Sequence, residues 1–63
     1  MTALEILVKQ LDEKLAQLKE AVTTGNFEVF EEYKRTCGEI RGLLVARGYA
    51  LDLKDRIEKA DDE

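Results

Sequence analysis

Apolar residues near the start of the chain recur at alternating intervals of four and three. The series is Leu4, Val8, Leu11, Leu15, Leu18 and Val22. This heptad spacing places every member on one face of an α-helix, where the face can pack against a second helix. Thr2 and Glu5 precede the series at the spacing of a capping box, in which a hydroxyl accepts a hydrogen bond from a free amide. The pattern predicts a first helix over about residues 3–23.

A turn is predicted after this helix, in the sequence Thr23-Thr24-Gly25-Asn26. Gly25 can adopt the left-handed conformation that ends a helix, and Asn26 can cap the next helix. We therefore place the turn at residues 24–26 and a second helix over about residues 27–59. The chain has no proline and few other turn residues, which argues against a fold of many β-strands.

The apolar stripe of the second helix falls into two halves. The first is Phe30, Tyr33, Cys37 and Ile40, and the second is Leu43, Ala46, Ala50, Leu53, Ile57 and Ala60. Joining the halves requires three consecutive steps of three residues, which indicates a stammer or a change of packing partner. Two alternatives stay open. Gly48 can kink or end the helix, giving three helices, and the stripe can follow a straight 3.6-residue period without a stammer.

The predicted fold is an all-α antiparallel helical hairpin with a longer second helix, forming one domain over residues 1–63. In a tight hairpin Leu15 faces Cys37, and Leu4 lies near Arg47 or Gly48. Everything beyond Tyr49 then overhangs the first helix. A chain of this size buries only about 60% of its unfolded surface. We therefore expect a homo-oligomer in a helical bundle, or association with another protein of a larger assembly.

Small residues on the second helix favour a close approach by another helix. Gly38, Gly42, Ala46 and Ala50 are spaced four apart, and such a ridge suits the 4-4 class of helix packing. The alternative is that these glycines are tolerated at the surface or mark a helix break. The predicted partner surface consists of Gly38, Gly42, Ala46, Tyr49, Ala50, Leu53 and Ile57.

The middle of the second helix is locally basic, although the whole chain has a formal net charge of −4. The cations are Lys34, Arg35, Arg41 and Arg47. A solvated helix face is the simpler interpretation, because several of the chain's cations have acidic neighbours at helical spacing. The alternative is a small regulator that binds nucleic acid or a polymerase through these four residues. Nucleic acid is the less favoured partner.

The chain lacks the residues that several kinds of catalytic or metal site need. The chain has no histidine and one cysteine, which excludes a zinc finger and a Cys/His nucleophilic pair. The carboxylates are spread along helix surfaces, so we expect no catalytic residue, cofactor, metal or small-molecule substrate. No apolar stretch is long enough for a membrane span. The start of the chain does not resemble a signal peptide, so a cytoplasmic location is expected.

One segment resembles a known group of proteins. The run Phe30-Glu31-Glu32-Tyr33-Lys34-Arg35-Thr36-Cys37-Gly38-Glu39-Ile40-Arg41-Gly42-Leu43 has a Tyr-Lys before a Cys-Gly, then a second Gly-Leu that leads into a charged helix. This is similar to small helical accessory proteins of tailed bacteriophages. The resemblance covers about the second half of the chain. It implies a structural or assembly role, in the cytoplasm of a bacterial host or in the virion, and it implies no catalytic residue.

Overall fold

A computed structural model describes residues 1–25 and 27–61 and shows two α-helices. α1 is Ala3–Thr24 and α2 is Phe30–Asp61. The helices pack side by side and antiparallel, in a hairpin that measures 53 × 18 × 13 Å. The all-α helical hairpin with a longer second helix is therefore confirmed.

Both ends of α1 have the local structure that the sequence predicts. The Thr2 hydroxyl accepts a hydrogen bond from the backbone amide of Glu5 at 3.1 Å, which satisfies a free amide of the first turn. At the other end Gly25 has φ +68°, in the left-handed region. A glycine adopts this conformation without the steric cost that a Cβ brings. The predicted cap at Asn26 lies outside the described residues.

The connection between the helices is longer than predicted. α2 begins at Phe30 rather than at residue 27. Phe27 lies in the connection, is half-buried, and packs its ring edge-on against Tyr33 with 5.9 Å between the ring centroids. From Phe30 the helix runs without interruption through Gly48 to Asp61. The alternative of three helices with a break at Gly48 is therefore wrong.

The face of α2 that packs on α1 keeps a single period along its length. Its least exposed residues are Thr36, Cys37, Ile40, Leu43, Arg47, Ala50 and Lys54. Apart from Cys37, which lies beside the stripe, these residues follow a strict four–three alternation from Thr36 to Lys54. Arg47 occupies the place predicted for Ala46, and Lys54 occupies the place predicted for Leu53. The predicted stammer is therefore wrong, since the stripe continues by accepting two cations whose long stems can cover apolar surface.

The register of the hairpin also differs from the prediction. Leu4 and Ile57 line the same shallow groove near the chain ends, whereas Leu4 was predicted to lie near Arg47. Asp12 contacts Arg47, which shifts α2 by about two helical turns relative to the predicted register. α1 therefore covers α2 as far as Ile57, and the predicted overhang beyond Tyr49 is wrong. The longer connection allows this shift, because α2 can start beyond the end of α1.

The core of the hairpin is small. In the described part of the chain only Leu15 and Ala50 are buried, with 4% and 7% of their surfaces exposed. The other residues of the α1 seam are half-buried, as two helices cover only one side of each apolar stripe. Much of the apolar surface of both helices therefore stays exposed.

Candidate functional site

The two helices leave two broad faces of different chemistry. On one of them, the charged face, Asp12, Lys19 and Arg47 line a shallow groove with Leu44. The Arg47 Nε donates a hydrogen bond to Asp12 Oδ1 at 2.5 Å, and this ion pair joins α2 to α1. The pair is partly exposed, with 36% of the Arg47 side chain and 49% of the Asp12 side chain accessible.

A second cation lies near the facing stripe two turns further along α2. Lys54 Nζ lies 2.8 Å from a carboxylate oxygen of Glu58. The hydrogen bond and charge of Glu58 raise the pKa of the Lys54 ammonium, and the charge of Glu5 on α1 adds to the increase. Arg47 and Lys54 are seven residues apart, as are Glu5 and Asp12. Both interhelical attractions therefore belong to one antiparallel register.

The opposite face, called here the apolar face, is defined by Leu7, Gly42, Ala46, Tyr49, Leu53 and Ile57. Successive residues rotate by about 100° around a helix, which places this set on the other side of the packing stripe from Leu44. Leu7, Leu53 and Ile57 are 42%, 49% and 47% exposed. Within residues 42–57 the positions of α2 on this side hold no charged residue. The α2 part of this face is therefore apolar.

The structure brings most of the predicted partner surface onto the apolar face. Tyr49 is 73% exposed there, beside Leu53 and Ile57. Gly38 lies further round, toward the outer surface of α2. Ala50 is buried in the hairpin, so it presents little free surface. A Cβ added at Gly38 or Gly42 would meet nothing within 4 Å, which means that packing against α1 does not require a glycine at either position.

The four cations of the alternative basic surface do not form one patch. Lys34 Nζ lies over the Phe30 ring, 5.6 Å from its centroid. Arg47 is bound to Asp12 between the helices. Arg35 and Arg41 are six residues apart, which places them about 120° apart around α2. Lys34 and Arg41, seven residues apart, share one side of α2, whereas a phosphate backbone needs a larger cluster of cations.

An aromatic cluster at the turn is a feature that the sequence analysis missed. Phe27 packs edge-on against Tyr33, and Phe30 stacks on Tyr33 with 6.2 Å between ring centroids. Hydrogen bonding to Cys37 and the charge of its sulfur raise the pKa of the Tyr33 hydroxyl. Three aromatic residues within seven positions were the signal. The cluster holds the connection against the first turns of α2.

The part of the chain that the structure describes shows neither a metal-binding cluster nor a membrane-spanning helix. No group of three or more Cys, Asp and Glu residues there could hold a metal ion. Neither described helix combines the length and apolarity that a membrane span needs. The absence of catalytic residues stays a prediction. Comparison with protein-family models, with curated proteins and with solved structures found no match to this chain.

Proposed function

We propose that this chain is a non-enzymatic structural or assembly protein that acts through helix–helix association with another protein chain. One observation carries the proposal: the hairpin buries very few residues and leaves many large hydrophobic side chains exposed. Leu15 and Ala50 are the buried residues of the described part, whereas twelve large hydrophobic side chains are at least 38% exposed. Surfaces of this kind mark protein–protein interaction sites.

The energetics of a small chain support the proposal. Apolar surface contributes about 25 cal/mol per Å² when it is removed from water. Single domains below about 70–80 residues seldom supply enough burial for comfortable stability, and oligomerisation is a common remedy. A partner helix on the apolar face would cover Leu7, Leu53 and Ile57 together. The same association would then both stabilise the hairpin and constitute its proposed function.

The proposed setting is a tailed-phage virion or its assembly. This part of the proposal is supported by the resemblance of residues 30–43 to small helical phage proteins. In that setting the partner is another copy of the chain or another protein of the assembly. The protein would work in the cytoplasm of the bacterial host or in the virion, without a small-molecule substrate.

Sedimentation equilibrium at tens of micromolar, combined with thermal unfolding followed by circular dichroism, tests the proposal. We expect an average mass above the 7.2 kDa of a single chain. The thermal midpoint should rise with protein concentration, because association stabilises the folded state by mass action. A cooperatively folded 7.2 kDa monomer, with a midpoint independent of concentration, would contradict the proposed function.

A further inference from the structure

Residue size is graded along the apolar face of α2. The end nearer the turn carries Gly42 and Ala46, and the end nearer the chain termini carries Leu53 and Ile57. Leu53 and Ile57 are about half exposed, and the space beyond Gly42 is open. Each pair is four residues apart. The small end of the face therefore matches the large end in spacing and complements it in shape.

We propose that a second copy of this chain covers the apolar face, with its α2 antiparallel to the first α2. This inference rests on the proposed function and names the partner. A two-fold axis between Tyr49 and Ala50, perpendicular to the helices, places Leu53 over Ala46 of the second copy. The same axis places Ile57 over Gly42 of the second copy. Both contacts fall in one register because the two intervals are equal.

The alternative two-fold axis runs parallel to the helices and gives a poorer fit. In the observed hairpin register Leu7 lies at the height of Leu53, and Lys14 lies at the height of Ala46. A parallel axis would therefore place α1 of the second copy over α2 and bring Leu53 against Leu7, one large residue against another. Between the two α2 helices the perpendicular axis packs large residues against small ones, which lets them approach to about 8 Å. Between the two α1 helices it places Leu7 beside Lys14, whose long stem can cover apolar surface.

The dimensions of the face also suit a second copy. The axis between Tyr49 and Ala50 lets residues 38–61 of the two α2 helices overlap over about 36 Å. With a width of 18 Å, the contact covers about 650 Å² on each chain. Specific stable interfaces bury at least about 600 Å² on each partner. An isologous contact covers the same face on both chains at once. On α1 the perpendicular axis passes close to Gln10, whose amide can both donate to and accept from its copy.

A size swap between Ala46 and Leu53 tests the arrangement. Ala46→Leu overfills the contact, and Leu53→Ala leaves a gap. Each single variant should therefore weaken self-association at least about tenfold, as measured by sedimentation equilibrium. In the double variant each new leucine meets a new alanine across the axis, so the dissociation constant should return to within about threefold of the parent value. Ala16→Leu on the charged face is the matched control and should associate like the parent.

Each result separates this inference from the proposed function. If the parent chain associates but the double variant is no better than the single variants, the arrangement is overturned and the proposed function stands. If the parent chain is an unfolded monomer, a second copy is overturned as the partner, and the need for a different partner remains. A stably folded monomer overturns both. Restored association in the double variant, with an unchanged control, supports the antiparallel pair.

Discussion

Arg47 of α2 donates a hydrogen bond to Asp12 of α1 across 35 positions of sequence, and this pair identifies the register of the hairpin. The heptad seam of α1 repeats every seven residues, so apolar packing alone is similar in registers that differ by one heptad. A charged pair at a facing position distinguishes these registers only together with a second pair, because a slip of one heptad would place Arg47 beside Glu5 instead of Asp12. Lys54 and Glu5, one heptad away, favour the same register.

Exchanging the two charges tests this role. Asp12→Arg and Arg47→Asp should each lower the free energy of unfolding, because each places like charges together. The double variant restores opposite charges and should recover most of the loss. Since the pair is partly exposed, we expect a coupling energy of about 0.2–1 kcal/mol. Urea unfolding of the parent, both single variants and the double variant measures the coupling, and strictly additive effects would contradict it.

Leu15 should be the most sensitive position of the core. It is 4% exposed, so Leu15→Ala should cost about 2–5 kcal/mol in a urea unfolding experiment. Ile6→Ala is the control, since Ile6 lies on the outer side of α1 and is 45% exposed. The control should change stability by about 0.5 kcal/mol or less. Similar losses in the two variants would show that the α1 seam does not face α2.

Replacing glycine by alanine should lower the stability of the fold at Gly25 and raise it at Gly48. Gly25 has φ +68°, so Gly25→Ala should cost about 1–2 kcal/mol. Gly48 lies inside α2 with open space around it, so Gly48→Ala should gain up to about 1 kcal/mol. Thermal unfolding of the two variants under identical conditions provides the comparison. A stabilising change at Gly25 would mean that α1 ends elsewhere.

High pH should weaken the hairpin through Lys54. The hydrogen bond to Glu58 raises the lysine pKa above its ordinary value of 10.5. A raised pKa means that the folded chain holds the proton more tightly than the unfolded chain. The resulting stability is fully present below about pH 10.5 and is lost as the pH rises through the raised value. Lys54→Met should therefore flatten the fall of the thermal midpoint with increasing pH. An equally steep fall in the variant would contradict this.

The Tyr33 hydroxyl also titrates at high pH, and the experiment on Lys54 must remove its contribution. Cys37 raises the pKa of the Tyr33 hydroxyl, so the stability that Tyr33 contributes is also lost at high pH. The parent and the Lys54→Met variant should therefore both carry Tyr33→Phe. The remaining difference between the two pH profiles then reports on Lys54.

The local signals in the sequence were sufficient for α1 but not for the register. The seam through Leu15 and the left-handed Gly25 follow from spacing and backbone sterics, which act over short distances. The register goes with a longer connection, in which Phe27 packs on Tyr33 and α2 begins only at Phe30. It also depends on two cations in the facing stripe, which an apolar pattern search passes over. The equal spacing of Glu5–Asp12 and Arg47–Lys54 was the available signal.

Most residues of the candidate interface could be predicted from the sequence, but one could not. Gly42, Ala46, Leu53 and Ile57 were identified from spacing, and the structure places them on one exposed face. Ala50 belongs to the same four-residue series but is buried in the hairpin. A series with a period of four drifts around a helix of 3.6 residues per turn. The face of its last member therefore depends on the register, which the spacing alone does not define.

Substitution of Gly42 tests whether another helix covers the apolar face or the glycine is merely tolerated at the surface. In the hairpin its Cβ position is open, so an isolated hairpin should gain up to about 1 kcal/mol from Gly42→Ala through helix propensity. If another helix covers Gly42, the added methyl must separate the two backbones, and overpacking typically costs about 1–3 kcal/mol. The two outcomes differ in sign. Thermal midpoint and mass should be measured together at two protein concentrations, since only the associated state carries the penalty.

Gly42→Leu should enlarge the difference, because its side chain does not fit an interaxial distance of about 8 Å. We expect this variant to lose association or folding. Lys19→Leu, on the charged face of α1, adds a leucine without entering the apolar face and should leave association unchanged. A Gly42→Leu chain that matches the parent in mass and in thermal midpoint would show that no helix covers this position. The glycine would then be a tolerated surface residue, and the partner of the hairpin would have to bind elsewhere.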